Sequence, residues 1–304
     1  MEFDKFTMLV RDEVQEMAGR SCKVQIKDVK KNNGVVLRGL TVMQDSSNVS
    51  PTIYLNSYYE AYIEGRAALL DVVNDVMDTY QRNKVNQSVD MRYFLDYERV
   101  RDSVVYKLIN TEKNKELLED VPHIEFHDLS IVFQCMVESD DIGSASILIH
   151  NIHMNLWGVS TELLYQAAKE NTQRIQKYEI KNMSKVLCEI ATAENPEECD
   201  KDNEEAFSDS FPMYVLSNQR RVDGAACMLY PNLISDFADA AGSSLYIIPS
   251  SIHEVLILPT AHADESTEIK NMIKEINDTQ VNAEEILSYS LYFYDRNERK
   301  IIRL

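Results

Sequence analysis

DLSIVFQCMVESDDIGSASILIH, residues 128–150, contains two apolar runs separated by a short acidic segment. Ile, Val and Phe are frequent in the first run and Ile in the second, and such side chains pack well on a pleated, half-buried surface. The segment ESDDIG between the runs has the acidic and glycine residues typical of a turn. We therefore predict an antiparallel hairpin with strands over 128–138 and 144–150.

A helix is predicted after this hairpin, because Ser160 can cap its first turn and Glu162 suits the positive end of the helix dipole. The same order of strand, turn, strand and helix recurs towards the N-terminus. There KKNNG separates VQIKDV from VVLRGLTVM, and apolar residues at helical spacing follow over 69–80.

The order recurs again towards the C-terminus. QRRVDG separates MYVLS (213–217) from AACMLY (225–230), which is predicted to be the return strand. The helix after this strand is expected to begin at Pro231 and to end before Gly242. The three units predict an α+β fold of antiparallel sheets, built from strand-turn-strand-helix units with helices packed on one face.

The clearest boundary in the chain is an acidic segment almost free of aliphatic residues, which indicates an exposed loop or linker. With this linker, the chain is predicted to have four parts. They are an N-terminal unit of helix, hairpin and helix, a middle unit of hairpin and helix, the linker itself, and a C-terminal α+β unit. Their predicted ranges are 1–90, 91–195, 196–210 and 211–304.

Net charge limits the classes of partner. The formal charge is -19 and the pI is near 4.7, so the chain repels nucleic acid phosphates and anionic lipid. We expect no direct nucleic acid binding and no membrane association, and instead a protein partner, for which a basic surface would suit this charge. An acidic inhibitor that mimics DNA is the alternative that the charge leaves open.

Cysteine, glycine and the N-terminus exclude further classes. The five cysteines form no C-x-x-C pair, and we predict reduced thiols, with Cys135 and Cys227 buried. With only eight glycines there is no G-x-G-x-x-G, P-loop or G-x-S-x-G motif. Neither a signal peptide nor an apolar run near the ~20 residues of a membrane span is present, so a cytoplasmic location is expected.

The first candidate site is LYIIPSSIHEVLILP, residues 245–259, where Ser250, Ser251, His253 and Glu254 lie between two apolar runs. A serine, a histidine and a carboxylate are the components of a hydrolytic relay, but such relays are assembled from distant positions. Pro-Ser-Ser is also ordinary turn chemistry. We favour the corner of a hairpin and keep catalysis as the alternative.

The second candidate is PHIEFHD, residues 122–128. On a strand His123, Glu125 and His127 would share one face, and two imidazoles with a carboxylate are plausible ligands for zinc or iron. His150 and His153 are further candidates for the same set. The alternative is a solvated strand edge, and no other cofactor is predicted.

The chain as a whole resembles a family of uncharacterised proteins from anaerobic gut bacteria, known only as a domain of unknown function. The resemblance spans nearly the whole chain, and it implies no activity, cofactor or catalytic residue. It is carried by KNNGVVLRGLTV, NVSPTIYLNSYYEAYIEG, NKELLEDVPHIEFHDLSIVFQC, LWGVSTELLYQAAKENT and MYVLSNQRRVDGAACMLYPNLISDFADAAGSSLYIIPSSIHEVLILP.

The sequence therefore favours a soluble bacterial α+β protein that acts as a non-catalytic binding or regulatory module. A metal-assisted or Ser/His hydrolase and the DNA-mimic inhibitor are the alternatives. Convergence of the candidate side chains in one pocket would favour the hydrolase.

Overall fold

The computed structural model describes residues 1–84, 91–139, 143–194, 213–262 and 266–304. The chain divides into two compact units. The first contains Met1–Phe94 and Val137–Ala145, and the second contains Leu95–Met136 and Ser146–Leu304. The acidic segment 196–210 lies outside the described residues.

The first unit is a three-stranded antiparallel sheet with helices. The strand order is β1-β2-β3, and β1 pairs with β2 over its full length. The predicted helix, hairpin and helix are present, and a short strand and a short helix lie between the hairpin and the last helix. The elements are α1 (Phe3–Ala18), β1 (Cys22–Lys30), β2 (Val36–Gln44), β3 (Thr52–Tyr54), α2 (Asn56–Ile63) and α3 (Leu69–Asn83).

One apolar core holds this unit together. Phe6, on the buried face of α1, is fully buried, with the rings of Tyr59 and Tyr62 each 5.2 Å away. Leu40 from β2 and Val76 from α3 belong to the same core. The 3.6-residue period of α1 and α3 therefore places their apolar faces against one sheet.

Apart from residues 137–145, which belong to the first unit, two further antiparallel sheets lie in the second unit, and they confirm the predicted fold class. One has the order β4-β6-β5 with β7 paired to β6, and the other has the order β13-β12-β10-β11-β9-β8. The strands are β4 (Val104–Asn110), β5 (His123–Phe126), β6 (Leu129–Ser139), β7 (Gly143–Leu148), β8 (Tyr178–Asn182), β9 (Tyr214–Asn218), β10 (Leu245–Ile248), β11 (Val255–Pro259), β12 (Tyr292–Asp295) and β13 (Lys300–Arg303). The helices are α4 (Tyr97–Val100), α5 (Lys115–Leu118), α6 (Asn151–Trp157), α7 (Thr161–Ile175), α8 (Met183–Glu194), α9 (Leu233–Ala241) and α10 (Ser266–Thr279).

The two faces of the six-stranded sheet are covered differently. On one face Leu258 packs with Ile269 and Ile273 of α10. Residues of alternate position, such as Val255 and Ile257, are fully buried and point to the opposite face. Because side chains alternate along a strand, Leu256 lies on the same face as Leu258. Leu256 also lines a cavity, so the cavity lies on this face of the sheet.

The predicted strand 225–230 is wrong. Gly224–Leu229 forms a 3₁₀ helix, and the residues before it reverse the chain, with Arg221 and Asp223 in left-handed conformations. β9 already pairs with β8 on one edge and β11 on the other, so no edge is open for a return strand. A short, continuous apolar run does not distinguish a buried strand from a buried helix.

The start of the next helix also differs from the prediction. α9 begins at Leu233, after Asn232 in a left-handed conformation, and Pro231 precedes it. Its end is as predicted, with Gly242 in the left-handed conformation that glycine adopts without a steric penalty.

The predicted domain ranges stay predictions. The division between the two units falls between Phe94 and Leu95, with a further piece of the first unit at Val137–Ala145. Strands from both sides of the acidic segment, β8 and β9, pair in one sheet. Within the described residues, no helix combines the length and the apolar character needed to cross a membrane.

Replacing Phe6 by alanine should destabilise the first unit by about 3–5 kcal/mol, because it removes a fully buried ring and leaves a cavity. Met8→Ala on the same helix is the matched control, since Met8 is 53% exposed, and it should change the free energy of unfolding by less than about 0.5 kcal/mol. Urea unfolding followed by circular dichroism measures both. Equal midpoints for the two variants would contradict this account of the core.

Candidate functional site

A cavity of about 320 Å³ lies on the six-stranded sheet, where β8, β9 and β11 run side by side below α8. Lys181 pairs with Val215, and Val215 pairs with Leu256, so these three form one row across the strands. Val215 and Leu256 are the apolar floor of the cavity. The volume falls in the range of small-ligand sites.

A second row crosses the same strands two residues away, on the same face. It consists of Glu179 on β8, Ser217 on β9 and Glu254 immediately before β11. Glu179 pairs with Ser217, and Glu254 directly precedes Val255, which pairs with Leu216. The second row is therefore entirely polar, whereas the first is mostly apolar.

The first turns of α8 form another wall of the cavity. Met183 and Val186 contribute apolar surface there. One turn further on, Glu189 accepts hydrogen bonds from Lys181 Nζ at 2.8 and 2.9 Å and from Arg221 Nη2 at 2.9 Å. These bonds tie α8 to β8 and to the loop after β9.

The two basic side chains of the cavity are already paired. Lys181 Nζ also lies 3.2 Å from Glu179 Oε2. The hydrogen bond to Glu189, followed by that to Glu179, raises the pKa of Lys181, and the hydrogen bond from Lys181 lowers the pKa of Glu189. Both groups are therefore charged at neutral pH. Glu254, in contrast, has no hydrogen bond or ion pair with any of the described residues.

Ser217 is held by a close approach of two backbone segments. It is only 7% exposed, and its Oγ donates to the carbonyl oxygen of His253 at 2.7 Å. A Cβ on Gly224 would lie 2.2 Å from Ser217 Oγ and 2.4 Å from His253 O, so this position requires glycine. Because a hydroxyl has one proton, Ser217 Oγ can only accept a hydrogen bond from a ligand.

The residues predicted from LYIIPSSIHEVLILP lie in the connection between β10 and β11, and the hairpin corner is confirmed. Ser250 and Ser251 are buried, and Ser251 Oγ accepts from the backbone N–H of His253 at 3.0 Å. Glu254 lines the cavity.

The imidazole of His253 has other neighbours. Its Nδ1 accepts from the N–H of Asp223 at 3.3 Å, and its Nε2 lies 3.5 Å from Glu285 Oε1. Within the described part of the chain no hydrogen bond joins this ring to a serine hydroxyl. A role of His253 with Ser250, Ser251 or Glu254 in catalysis stays a prediction.

The residues of PHIEFHD do not extend along one strand. β5 contains His123 and Glu125 but ends at Phe126, and His127 is in a left-handed conformation with its ring 5.3 Å from that of Tyr292. His123 Nδ1 lies 3.0 Å from the carbonyl oxygen of Val121.

The two further histidines proposed for that set have neighbours of their own. His150 pairs with Asp120 at 2.7 Å and contacts the ring of His153. Among the described residues, no group of three or more His, Cys, Asp or Glu side chains has an arrangement that could hold a metal ion.

Asp128, the last residue of PHIEFHD, is the centre of a cluster that the sequence analysis missed. Its carboxylate accepts from Ser288 Oγ at 2.6 Å, from Ser290 Oγ at 3.0 Å and from the hydroxyl of Tyr292. Arg303 Nε is 3.8 Å away. Burial alone would raise the pKa of Asp128, but these hydrogen bonds and the arginine together lower it.

The sequence analysis also missed the cavity residues Glu179, Lys181, Ser217 and Arg221, and Glu189, which pairs with two of them. One signal was present for two of them. In YEIKN (178–182), Glu179 and Lys181 are two residues apart and share a strand face. Nothing in the sequence indicated that Glu189 and Arg221 would meet Lys181.

The antiparallel sheets define an α+β protein, and one of these sheets carries a cavity of small-ligand size. The chain belongs to the family of unknown function DUF5688, which it matches over residues 3–296. No match was found among curated proteins or among solved structures.

Replacing Asp128 by asparagine should cost about 1.5–3 kcal/mol at pH 7, since hydrogen bonds to a charged group are lost. The pKa of Asp128 is lower in the folded chain than in the unfolded chain, whose value is about 3.9. The carboxylate therefore contributes stability above that pH and loses it as the pH falls through the folded pKa. Urea unfolding at pH 7, 5, 4 and 3 should show that the difference in free energy of unfolding between wild type and variant shrinks as the pH falls.

Asp45→Asn, at an exposed position, is the control and should leave the free energy of unfolding at pH 7 nearly unchanged. If the free energies of unfolding of the wild type and Asp128→Asn differ by the same amount from pH 7 to 3, the role given to the carboxylate is contradicted.

Proposed function

We propose that this protein is a non-catalytic binding module of the bacterial cytoplasm and that the cavity on the six-stranded sheet is its ligand site. The observation that carries the proposal is the composition of the cavity: an apolar floor and wall, a row of polar groups along one side, and two basic side chains, Lys181 and Arg221, that are already paired. Ligand sites have this character, with apolar surface supplying affinity and a few polar groups fixing orientation.

The bonding of the polar groups supports binding rather than chemistry. Lys181 and Arg221 are held by Glu189, and Ser217 gives its only proton to a backbone carbonyl. A nucleophilic serine needs a base within hydrogen-bond reach to accept that proton. The carbonyl oxygen of His253 is not such a base, so Ser217 is better suited to orient a ligand than to attack one.

The net charge of the chain supports a partner with positive charge. A net charge of -19 attracts cationic molecules over a distance of about a Debye length, ~8 Å at physiological salt. A protein partner with a basic surface, or a small cationic molecule, fits this field. The proposal of a protein partner rests on this complementarity.

Filling the cavity should abolish ligand binding without unfolding the chain. Val215→Phe adds a ring to the cavity floor, and Val36→Phe is the matched control, because Val36 lies on β2 of the first unit and is 50% exposed. We expect a thermal-shift screen with small amines, acids, alcohols and amino acids to find compounds that stabilise the wild type and the control. At 100-fold excess over Kd the gain is about 2.7 kcal/mol.

The same compounds should leave the melting temperature of Val215→Phe unchanged. A compound that stabilises the wild type and Val215→Phe equally binds elsewhere. If every active compound behaves in this way, or if none stabilises the wild type, the cavity is not the ligand site.

A further inference from the structure

We infer that the cavity binds an alkylammonium group. The ammonium would lie at the polar row of Glu179, Ser217 and Glu254, and the alkyl stem on the apolar floor of Val215 and Leu256. This inference rests on the proposed function, because it names the ligand class of the same site. Three features of the cavity carry it: the direction of its hydrogen bonds, its balance of charge, and the position of its apolar surface.

The polar row offers acceptors. Glu179 and Ser217 lie side by side on β8 and β9, and Glu254 immediately precedes β11, the next strand of the sheet. Adjacent strands are about 4.8 Å apart, so the outer two backbones are separated by about twice that distance. Ser217 is buried between the carboxylates, and because its proton goes to His253 O it presents only lone pairs. A group that binds at the row must therefore donate hydrogen bonds.

The charge balance favours a cation. Two basic and three acidic side chains surround the cavity: Lys181, Arg221, Glu179, Glu189 and Glu254. Both basic groups are engaged by Glu179 and Glu189. Glu254 has no counter-charge among the described residues, which leaves one negative charge unpaired. A single positive charge restores neutrality, and hydrogen bonds to a charged partner are the stronger kind.

The apolar surface accommodates an alkyl chain. Val215 and Leu256 form the row next to the polar row, and Met183 and Val186 lie on the wall formed by α8. Long amine side chains bury their methylene stems on apolar surface and keep the charged end at polar groups. The ligand is therefore a free alkylamine or the lysine side chain of a partner protein, which share this chemistry.

Isothermal titration calorimetry tests the inference with three probes of equal chain length, n-pentylamine, 1-pentanol and valerate. We expect n-pentylamine to bind the wild type at least tenfold more tightly than 1-pentanol, and valerate to bind more weakly still. Glu254→Gln keeps the shape of the side chain and removes its charge, and it should weaken n-pentylamine binding about tenfold or more. Glu268→Gln, at an exposed position on α10, is the control and should leave the affinity unchanged.

Several outcomes would overturn the inference: no binding of n-pentylamine to the wild type, equal affinity for 1-pentanol or valerate, or unchanged affinity in Glu254→Gln. Its failure is distinguishable from failure of the proposed function. If 1-pentanol or valerate binds as tightly as the amine and Val215→Phe abolishes that binding, the cavity is the ligand site but its ligand is not a cation. If Val215→Phe leaves all binding unchanged, both fail.

A lysine tripeptide, acetyl-Gly-Lys-Gly-amide, separates the two sources of the ammonium group. Binding of the tripeptide at least as tight as that of n-pentylamine, and weakened by Glu254→Gln, supports a lysine side chain of a partner protein. Binding of n-pentylamine without binding of the tripeptide supports a free amine.

Discussion

β9 is hydrogen-bonded along both edges, to β8 on one side and to β11 on the other. This double pairing fixes the two rows of side chains that cross the three strands and places Ser217 between Glu179 and Glu254. It also sets the path of the chain after β9, because a strand with two occupied edges leaves no place for a return strand beside it. The chain therefore reverses through Arg221 and Asp223 and packs as a 3₁₀ helix, with Gly224 close to Ser217.

Much of the fold could be predicted from local pattern. Hairpins such as β1 and β2, and helices such as α3 and α7, have turn residues, caps and apolar spacing within a few residues of each other. The strand predicted for AACMLY was wrong because this run is buried by tertiary packing on both sides. A short run that is apolar throughout has no period that distinguishes a strand from a helix. The prediction that His127 shares a strand face with His123 was also wrong, because the strand that carries His123 ends one residue before His127.

The site was predictable only in part. Glu254 was a candidate because of its neighbours in sequence, and the structure places it in the cavity beside residues that lie far away in the chain. Ser217 and Glu179 come from other strands, and the pairing of Lys181 and Arg221 through Glu189 depends on how α8 lies over the sheet. The cluster at Asp128 joins positions about 160 residues apart. Interactions of this separation are set by topology, which no local spacing reveals.

The division into units has a consequence for how the chain acquires its structure during synthesis. The first unit includes Val137–Ala145, so the polypeptide passes between the two units three times. A ribosome that has released residues 1–94 has not yet supplied all of the first unit, and the remaining part emerges only after β4 and β5. Domains often fold in order from the N-terminus. Here the buried core of the N-terminal unit lies within residues 6–80, and the last piece of that unit is made some fifty residues after Phe94.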